Sequence, residues 1–316
     1  MILSASRRTD LVAWHLDWLL AGFRRGWVEV ENPFRPSMRS RVSLAPGQVE
    51  ACVFWTRDPR PILPVIDPSG LVQGLPALFL VTLTGYGPPL EPRVPGPHEA
   101  VAAIRDLAGR VGSGRVVWRY DPVVLGSGPF SPEAHRARFR SLANALRGST
   151  RRVVLSLVDW YRKTGRRLRP FLAPGDDPGA PVIHEVVPLE PMAMGLVSDL
   201  REEARRCGMS AVGCCEPEWD RCGLLPASPC IDPVLLREEL GLLLPGGGRD
   251  RGQRPGCRCA PARDIGRTDT CGGGCLYCYA TGRPDLAVRR ATAAQPCRTP
   301  LLCGDDEGLA PPDGVA

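Results

Sequence analysis

The sequence predicts an α/β protein that forms a closed or partly open (β/α) barrel, with a cysteine-rich cluster loop at its C-terminal end. Short apolar runs alternate with amphipathic helical stretches through residues 1–215, which is typical of βαβ units and a parallel sheet. No glycine-rich dinucleotide fingerprint accompanies these units, which favours a barrel over a Rossmann fold. Polar signatures follow several of the apolar runs, as they do at the mouth of an α/β barrel.

Six runs rich in β-branched or aromatic residues, each bounded by turn residues, predict the strands. They are 2–6, 51–55, 77–83, 115–120, 152–158 and 209–214. Helical periodicity predicts helices over 11–26 and 190–208. Asp10 is placed to cap the first of these helices and Gly26 to end it.

Changes in apolar periodicity and composition along the sequence predict three regions. Residues 1–215 form the barrel-like core, and residues 216–282 form a cysteine-rich region that completes the barrel mouth. The tail, 283–316, has little apolar periodicity, so we expect it to be partly disordered.

Composition bounds the class of protein. Hydrophobic residues make up 43% of the 316 residues and charged residues 23%, which are ordinary values for a globular chain. No apolar run approaches the ~20 residues that a membrane span needs. The N-terminal stretch MILSASRRTD places arginines after its apolar residues, the reverse of a secretory signal. We therefore expect a cytoplasmic protein without a membrane partner.

The net charge of +6 is carried almost entirely by arginine, because Lys163 is the only lysine. The arginines are dispersed along the chain rather than grouped in a stripe. Bulk charge alone does not indicate a nucleic-acid surface, so nucleic acid is not the partner that we expect.

Four predicted strands end in polar signatures: SRRTD (6–10), WTRDP (55–59), TLTGYG (82–87) and WRYDP (118–122). In an α/β barrel these ends meet at one mouth, where a small-molecule substrate binds. The candidate catalytic residues are Arg7, Arg8, Asp10, Tyr86, Arg119 and Asp121. A helix cap is the alternative role for Asp10. Thr56 and Thr84 belong to the same signatures, and Arg57 joins the arginines whose planar guanidinium groups suit carboxylates or phosphates.

Cysteine is the most informative residue type. Of the 13 cysteines, all but Cys52 lie between Cys207 and Cys303. Disulfides do not persist in a reducing cytoplasm, so clustered cysteines indicate metal ligands or redox groups. Cys52 and Cys207 are expected to be small buried hydrophobic residues, and no specific role is expected for Cys297 and Cys303.

The stretch DTCGGGCLYCYATG contains Cys271, Cys275 and Cys278 in the spacing C-x3-C-x2-C. Three thiolates on one tight loop can hold three corners of a cubic iron–sulfur cluster and leave the fourth iron open. Gly273 and Gly274 allow the backbone to approach the cluster and to aim N–H groups at it. An open metal position is where a substrate or cofactor binds.

This motif, with Tyr277 before its last cysteine, resembles the cluster motif of radical S-adenosylmethionine enzymes, and its continuation YCYA resembles relatives of spore photoproduct lyase. The chain from residue 4 to 280 resembles a bacterial family of about this length that is catalogued only as a domain of unknown function. The stretches that carry the resemblance are SASRRTD, VFWTRDP, TLTGYG, WRYDP, PCID and CRCAPARDIGRTDTCGGGCLYCYA.

The resemblance implies that Cys271, Cys275 and Cys278 ligate a [4Fe-4S] cluster whose open iron binds S-adenosylmethionine. One-electron reduction by a partner such as flavodoxin or ferredoxin would then yield methionine and a 5′-deoxyadenosyl radical, which takes hydrogen from a substrate. Tyr277 would lie near the adenine. Relatives often carry His where Gly273 stands and Tyr where Thr268 stands.

The resemblance also implies a second set of ligands, Cys214, Cys230, Cys257 and Cys259, which match cysteines of that family. Cys215 and Cys222 are alternative members. Four such thiolates would suit an auxiliary iron–sulfur cluster, and they would equally suit a structural zinc ion.

The position of the motif departs from the usual order, because in the superfamily it follows the first barrel strand. A barrel can be permuted when its first and last units are neighbours in space. We therefore expect the cluster loop to lie beside SASRRTD, and a position far from the mouth would end that expectation.

Two other functions remain open at the level of sequence. One is an iron–sulfur electron carrier in which Cys257 or Cys259 supplies a fourth ligand to the loop cluster. The other is a zinc-stabilised binding module, for which RNA is one ligand.

Overall fold

The computed structural model describes residues 1–67, 74–173, 177, 179–243, 248–250, 252–254, 256–293 and 300–302. Cys297 and Cys303 therefore lie outside the described residues. The strands are β1 (Ile2–Ala5), β2 (Trp27–Glu31), β3 (Arg39–Ser43), β4 (Ala51–Thr56), β5 (Ala77–Thr82), β6 (Val116–Val123), β7 (Arg152–Leu157), β8 (Ser210–Gly213) and β9 (Arg263–Asp264).

The helices follow most of these strands along the chain. They are α1 (Leu11–Trp14), α2 (Leu16–Arg25), α3 (Pro97–Val111), α4 (Pro132–Ala145), α5 (Arg162–Leu168), α6 (Pro191–Arg206), α7 (Pro217–Arg221), α8 (Pro233–Leu240) and α9 (Pro284–Thr292). Among the described helices, none has the combination of length and apolar character that crossing a membrane requires.

Seven strands form one parallel sheet in the order β8-β7-β6-β5-β4-β1-β9. All six predicted strands belong to it, which confirms the α/β class. From β1 to β8 each new strand of this sheet joins the same side of the previous one, so the order never reverses as it does in a doubly wound sheet.

The sheet is open, so a closed barrel is the wrong expectation. Closure would require β8 to pair with β9, but the two strands lie at opposite edges. Strand β9 has only two residues, which leaves little backbone for a further ladder.

Strand β9 brings the C-terminal region back to the start of the chain. Leu3 and Ser4 of β1 pair with Arg263 and Asp264 of β9 in parallel. The cysteine motif begins seven residues after β9 ends. The loop therefore follows a strand that lies next to β1, in the place that the sequence predicted for it.

The two faces of the sheet are covered differently. On one face, large side chains such as Phe54, Phe79 and Trp118 pack with residues of α2, α3, α4 and α6 in the main core. On the other face, residues from the first halves of the strands pack against Leu235 and Leu236 of α8. Side chains alternate along a strand. The residue two positions after each of these apolar residues therefore lies on the same face, nearer the carboxyl end of its strand and beyond α8.

The helix predicted over 11–26 divides at His15 into α1 and α2. Asp10 caps α1 by accepting a hydrogen bond from the Ala13 N–H at 2.9 Å. Gly26 ends α2 at a φ of 83°, a conformation that glycine adopts without a Cβ penalty. The tail contains a helix, α9, and its parts over 294–299 and 303–316 lie outside the described residues.

Candidate active site with two groups of thiols

A cavity of about 690 Å³ lies above α8, at the carboxyl ends of the parallel strands. Part of its wall is formed by side chains on the face of the sheet that packs against α8, at positions that follow the apolar residues of each strand. They are Ser6, Trp55, Thr82, Arg119, Asp121, Ser156 and Cys214. The placement follows from the two-residue period of a strand and from the parallel pairing, which brings all these ends to one edge.

Asp264 fastens the last strand to the first. Its Oδ2 accepts hydrogen bonds from Ser4 Oγ at 2.5 Å and from the Arg7 N–H at 2.9 Å. Its Oδ1 accepts from Ser6 Oγ at 2.8 Å and from the Gly266 N–H at 3.0 Å. One carboxylate thus joins the loop after β1 to the segment that leads into the cysteine motif.

Asp10 joins the loops after β1 and β4. In addition to capping α1, it accepts hydrogen bonds from the Arg57 N–H at 2.7 Å and from Thr56 Oγ1 at 3.1 Å. Burial raises the pKa of its carboxyl to about 6, although these hydrogen bonds act in the opposite direction. Asp10 lines the cavity, so the helix cap and the wall position coincide.

Glu91 is the centre of a second buried network. Its carboxylate pairs with Arg57 at 2.8 Å and accepts hydrogen bonds from Thr84 Oγ1 and the Tyr277 hydroxyl. Arg57 also donates to the Tyr277 hydroxyl. Burial raises the pKa of Glu91, but Arg57 and the two hydroxyl donors lower it below its usual value. The loops after β4 and β5 are thereby tied to the cysteine loop.

The side chains of Cys271, Cys275 and Cys278, here called the loop thiols, line the cavity. Their loop is held by donors to its carbonyl oxygens. Arg167 of α5 donates to Leu276 O at 2.8 Å and also to the carbonyls of Cys278 and Thr281.

Two more donors fix the start of the loop. Arg93 donates to Gly272 O at 2.7 Å, and His15 Nε2 donates to Thr270 O at 2.8 Å. A Cβ at Gly272 would lie 2.6 Å from the Trp14 ring, so only glycine permits this close approach. These contacts hold the backbone of the loop, and the cysteine side chains line the cavity.

A second group, here called the wall thiols, contains Cys214, Cys215, Cys230, Cys257 and Cys259, and all five line the same cavity. Cys214 Sγ and Cys230 Sγ are 3.3 Å apart. Cys259 Sγ accepts hydrogen bonds from the Cys230 N–H at 3.2 Å and the Ile231 N–H at 3.5 Å. The remaining wall thiols are close enough to influence one another's pKa, in the pairs Cys230–Cys259, Cys259–Cys257 and Cys257–Cys215.

Arginines surround the wall thiols. Arg119 donates from Nη1 to Cys230 Sγ at 3.3 Å and pairs with Asp121. Arg7 lies near Cys259, and Arg254 lies near Cys215. Hydrogen bonds from Cys230 and Cys257 lower the pKa of the Cys259 thiol, and the Ile231 N–H and Arg7 add to this effect. The group therefore has positive charge available to balance thiolates.

Most of the predicted site residues meet in this cavity. Arg7, Arg8, Asp10, Arg119, Asp121, Tyr277 and Gly273 line it together with both groups of thiols. Gly274, at a φ of 69°, lies against the Arg93 side chain rather than in the lining. Tyr86 also lies outside the lining, because its hydroxyl donates to Pro122 O at 2.9 Å and accepts from the Val124 N–H at 2.8 Å. Tyr86 packs edge-on against Tyr277, with ring centroids 6.3 Å apart.

The two alternative cysteines lie in different surroundings. Cys215 belongs to the wall thiols, whereas Cys222 is exposed and its thiol donates to Trp219 O at 3.5 Å. Cys52 and Cys207 are buried, as expected.

Sequence reasoning missed Glu91, Arg93 and Arg167. Each acts on a loop that is distant along the chain, so no local motif marks it. The only signal for Arg167 was its place in the densely basic stretch RKTGRRLR.

Within the described part of the chain, no three Cys, His, Asp or Glu side chains converge closely enough to bind one metal ion. A mononuclear site is therefore not preformed. A cluster of several metal atoms holds its ligands further apart, so both groups of thiols remain compatible with one.

Comparisons with curated proteins and with solved structures give no match to this chain. A family model described as "Domain of unknown function (DUF1848)" matches residues 2–280. The match contains all the strands of the sheet and both groups of thiols, and the chain therefore belongs to the DUF1848 family.

Proposed function

We propose that the protein is a radical S-adenosylmethionine enzyme, in which the loop thiols hold a [4Fe-4S] cluster and the cavity receives a small-molecule substrate. One observation carries the proposal. Three thiols of a single loop line the same cavity as the polar ends of the parallel strands. Such a position supports a catalytic role, because the carboxyl ends of parallel strands are where α/β enzymes bind ligands.

The donor set fits such a cluster. Thiolates are the ligands of iron–sulfur clusters, and the loop supplies three of them, so one iron would lack a protein ligand. Cys257 and Cys259, which an electron carrier would use as the fourth ligand, lie instead beside Cys215 and Cys230 in the wall group. This arrangement favours the enzyme over the carrier.

When bound and reduced by one electron, the cluster and S-adenosylmethionine would supply a 5′-deoxyadenosyl radical that abstracts hydrogen from the substrate. The chain itself contributes position and charge. Arg57 lies near Cys275, and its pKa is raised well above the usual value by Tyr277 and Glu91 in spite of burial. It therefore keeps a fixed positive charge beside one of the loop thiols.

The strand ends that line the cavity supply groups that can orient a substrate. Asp121 accepts hydrogen bonds from Arg119 and from Ser156 Oγ, the latter at 2.5 Å. Trp55 lies beside Arg7, whose guanidinium carbon is 5.4 Å from the centroid of its ring. Charged groups held rigidly next to aromatic surface bind and orient a polar small molecule and limit the access of water.

We propose further that the wall thiols hold a second, auxiliary iron–sulfur cluster. Arg7, Arg119 and Arg254 lie around these thiols, and their positive charge would balance the negative charge of a thiolate-bound cluster. An auxiliary cluster at the cavity wall could accept or deliver an electron during turnover.

The test is to purify the protein anaerobically, reconstitute it, and count iron and sulfide in the wild type and in Cys271→Ala/Cys275→Ala/Cys278→Ala. The samples are then reduced with dithionite in the presence of S-adenosylmethionine and assayed for 5′-deoxyadenosine. We expect about eight irons in the wild type and about four in the variant, with the product lost in the variant. Cys222→Ser is the matched control and keeps both values.

Other outcomes separate the alternatives. About four irons falling to none would remove the auxiliary cluster and keep the enzyme. Iron without any 5′-deoxyadenosine from the wild type would indicate an electron carrier. Zinc in place of iron would indicate a zinc-stabilised binding module, whose affinity for RNA would fall steeply with salt.

A further inference from the structure

Helix α5 lies directly behind the cysteine loop. Its buried residue Leu168 belongs to an apolar cluster that also contains Tyr277, against which Cys275 and Leu276 pack. Arg167 extends from the same helix to three loop carbonyls. Whatever docks on the outer side of α5 is therefore separated from the loop thiols by one layer of packed side chains.

The outer side of α5 is strongly basic. Arg162, Arg166 and Arg169 are exposed, and Lys163 is half-buried. The three arginines are spaced i, i+4 and i+7, so they fall on one face of the helix and its continuation. Leu168 and Thr164, which are buried, fall on the opposite face. We call Arg162, Lys163, Arg166 and Arg169 the α5 basic face.

The α5 basic face differs from much of the remaining surface in lacking carboxylate partners. Elsewhere, exposed arginines such as Arg110, Arg140 and Arg205 pair with nearby Asp or Glu residues. No carboxylate of the described residues pairs with any member of the α5 basic face. Among the described residues, no aromatic ring lies against the guanidinium groups of this face either. Its charge is therefore available to a partner.

Apolar side chains border the basic face. Tyr161, at the start of α5, is 40% exposed, and Leu172, just beyond Arg169, is 44% exposed. Tyr161 contacts Tyr279 of the cysteine loop, with ring centroids 6.4 Å apart. A few exposed apolar residues beside a patch of one charge match the small, polar interfaces of transient electron-transfer complexes.

We propose that the α5 basic face is the docking surface for an acidic one-electron carrier protein, of the flavodoxin or ferredoxin kind, that reduces the cluster of the loop thiols. The inference rests on the proposed function, which requires one electron from outside the chain for each cleavage. In the step, the reduced carrier loses one electron and the cluster gains it. Because electron transfer weakens steeply with distance, a carrier docked directly behind the loop is well placed for it.

Charge complementarity decides in favour of this partner. An acidic protein is attracted to the α5 basic face before contact, which raises the rate of association at low ionic strength. The attraction is screened by salt, because the Debye length is about 8 Å at physiological ionic strength. RNA would also be attracted to positive charge, but a patch of four basic residues beside a buried redox site matches a compact acidic protein better than an extended polyanion.

The test compares two reductants. In Arg162→Glu/Arg166→Glu/Arg169→Glu, the charge of the face is reversed while Arg167 remains in place. We expect 5′-deoxyadenosine formation driven by dithionite to be unchanged, because a small reductant needs no docking surface. With an acidic flavodoxin as donor, we expect kcat/KM for the donor to fall about 10-fold or more and to lose most of its dependence on salt.

The matched control is Arg24→Glu/Arg35→Glu/Arg105→Glu, which changes the net charge equally at three exposed arginines outside α5. This variant should respond to flavodoxin like the wild type. Arg162→Gln/Arg166→Gln/Arg169→Gln should give an intermediate value.

Each failure has its own signature. No 5′-deoxyadenosine from the wild type with dithionite would overturn the proposed function and the docking proposal with it. Normal activity with dithionite, together with equal flavodoxin kinetics in the α5 variant and the control, would overturn the docking proposal alone. Flavodoxin binding to the wild type without any salt dependence in calorimetry would do the same.

Discussion

The loop thiols and the wall thiols line one cavity but are assembled in opposite ways. The loop thiols come from eight consecutive residues, 271–278, and Arg167, Arg93 and His15 hold their loop through its carbonyls. The wall thiols come from three separate segments, which are joined to one another through sulfur. The loop is thus shaped by the protein around it, whereas the wall group is itself part of what holds its segments together.

This difference has a consequence for metal binding. A metal at the loop thiols would add little to the stability of the fold, because the loop is already fixed. A metal at the wall thiols would contribute folding free energy, since it would link three segments that are distant along the chain. The following predictions test this contrast.

The largest effect is expected from Cys230→Ala/Cys259→Ala. The variant should lose the metal of the wall thiols, retain the iron of the loop thiols, and unfold at a clearly lower temperature than the wild type. The loop variant lacking Cys271, Cys275 and Cys278 should lose iron with little change in melting temperature. Metal analysis and calorimetry of both holoproteins give the comparison, and equal losses of melting temperature would remove the contrast.

A single-residue version uses Cys215→Ser against Cys222→Ser. Only the first removes a wall thiol, so only the first should lower the metal content or the melting temperature.

The next largest effect is expected from Glu91→Gln, which leaves Arg57 without its buried counter-charge. Breaking a buried ion pair at one partner costs about 3 to 5 kcal/mol, so the free energy of unfolding should fall by roughly that amount. Thr84→Val, which removes one hydrogen bond to the same carboxylate, should cost about 1 kcal/mol. Chemical denaturation measures both, and a loss for Glu91→Gln no larger than for Thr84→Val would mean that the ion pair is unimportant.

A smaller effect is expected from Arg167→Ala. Three carbonyls of the loop lose their donor, and we expect a loss of about 2 kcal/mol together with faster release of loop iron to a chelator. Arg166→Ala, at the neighbouring exposed position, should stay within about 0.5 kcal/mol of the wild type. If both variants release iron at the wild-type rate, the loop is not held by its carbonyl contacts.

An effect of similar size is expected from acid. His135 of α4 is buried. Its Nε2 donates to Val124 O at 2.8 Å, and its Nδ1 accepts from the Tyr120 hydroxyl at 2.8 Å. Burial lowers its pKa to about 4 from 6.5, so the unfolded chain binds the proton first as pH falls. The contribution of neutral His135 to the free energy of unfolding is therefore fully present above pH 6.5 and is lost as the pH falls towards 4. The loss between pH 6.5 and pH 5 is about 2 kcal/mol.

His135→Gln should flatten this part of the stability profile, which denaturation at several pH values would show. An unchanged slope would place the acid sensitivity elsewhere.

The sequence predicted the sheet well because six of its strands are buried on both faces and are therefore continuous apolar runs. It missed β9, since Arg263 and Asp264 are polar and the strand exists through its pairing with β1 and the hydrogen bonds of Asp264. It also missed the hairpin of β2 and β3, although the alternation in WVEVE was a usable signal.

The candidate site was predictable where it is local. The spacing of Cys271, Cys275 and Cys278 is enough to single them out as a group, and the three line one cavity. The sequence could not predict which cysteines belong to the wall thiols. Cys215 and Cys222 carry no distinguishing local pattern, and only the fold brings Cys215 to the cavity and leaves Cys222 exposed. Glu91 and Arg167 had no motif, since the residues of the cysteine loop that they contact lie more than 100 residues away along the chain.

The pairing of β9 with β1 has a consequence for biosynthesis. The ribosome makes β1 first and β9 only after more than 250 further residues, so one edge of the growing sheet stays uncovered for most of translation. An uncovered edge strand is a template for aggregation, and β1 is short and apolar. Completion of the sheet and emergence of the cysteine loop are then a single late event, so the loop thiols reach the cavity only after the rest of the sheet has been made.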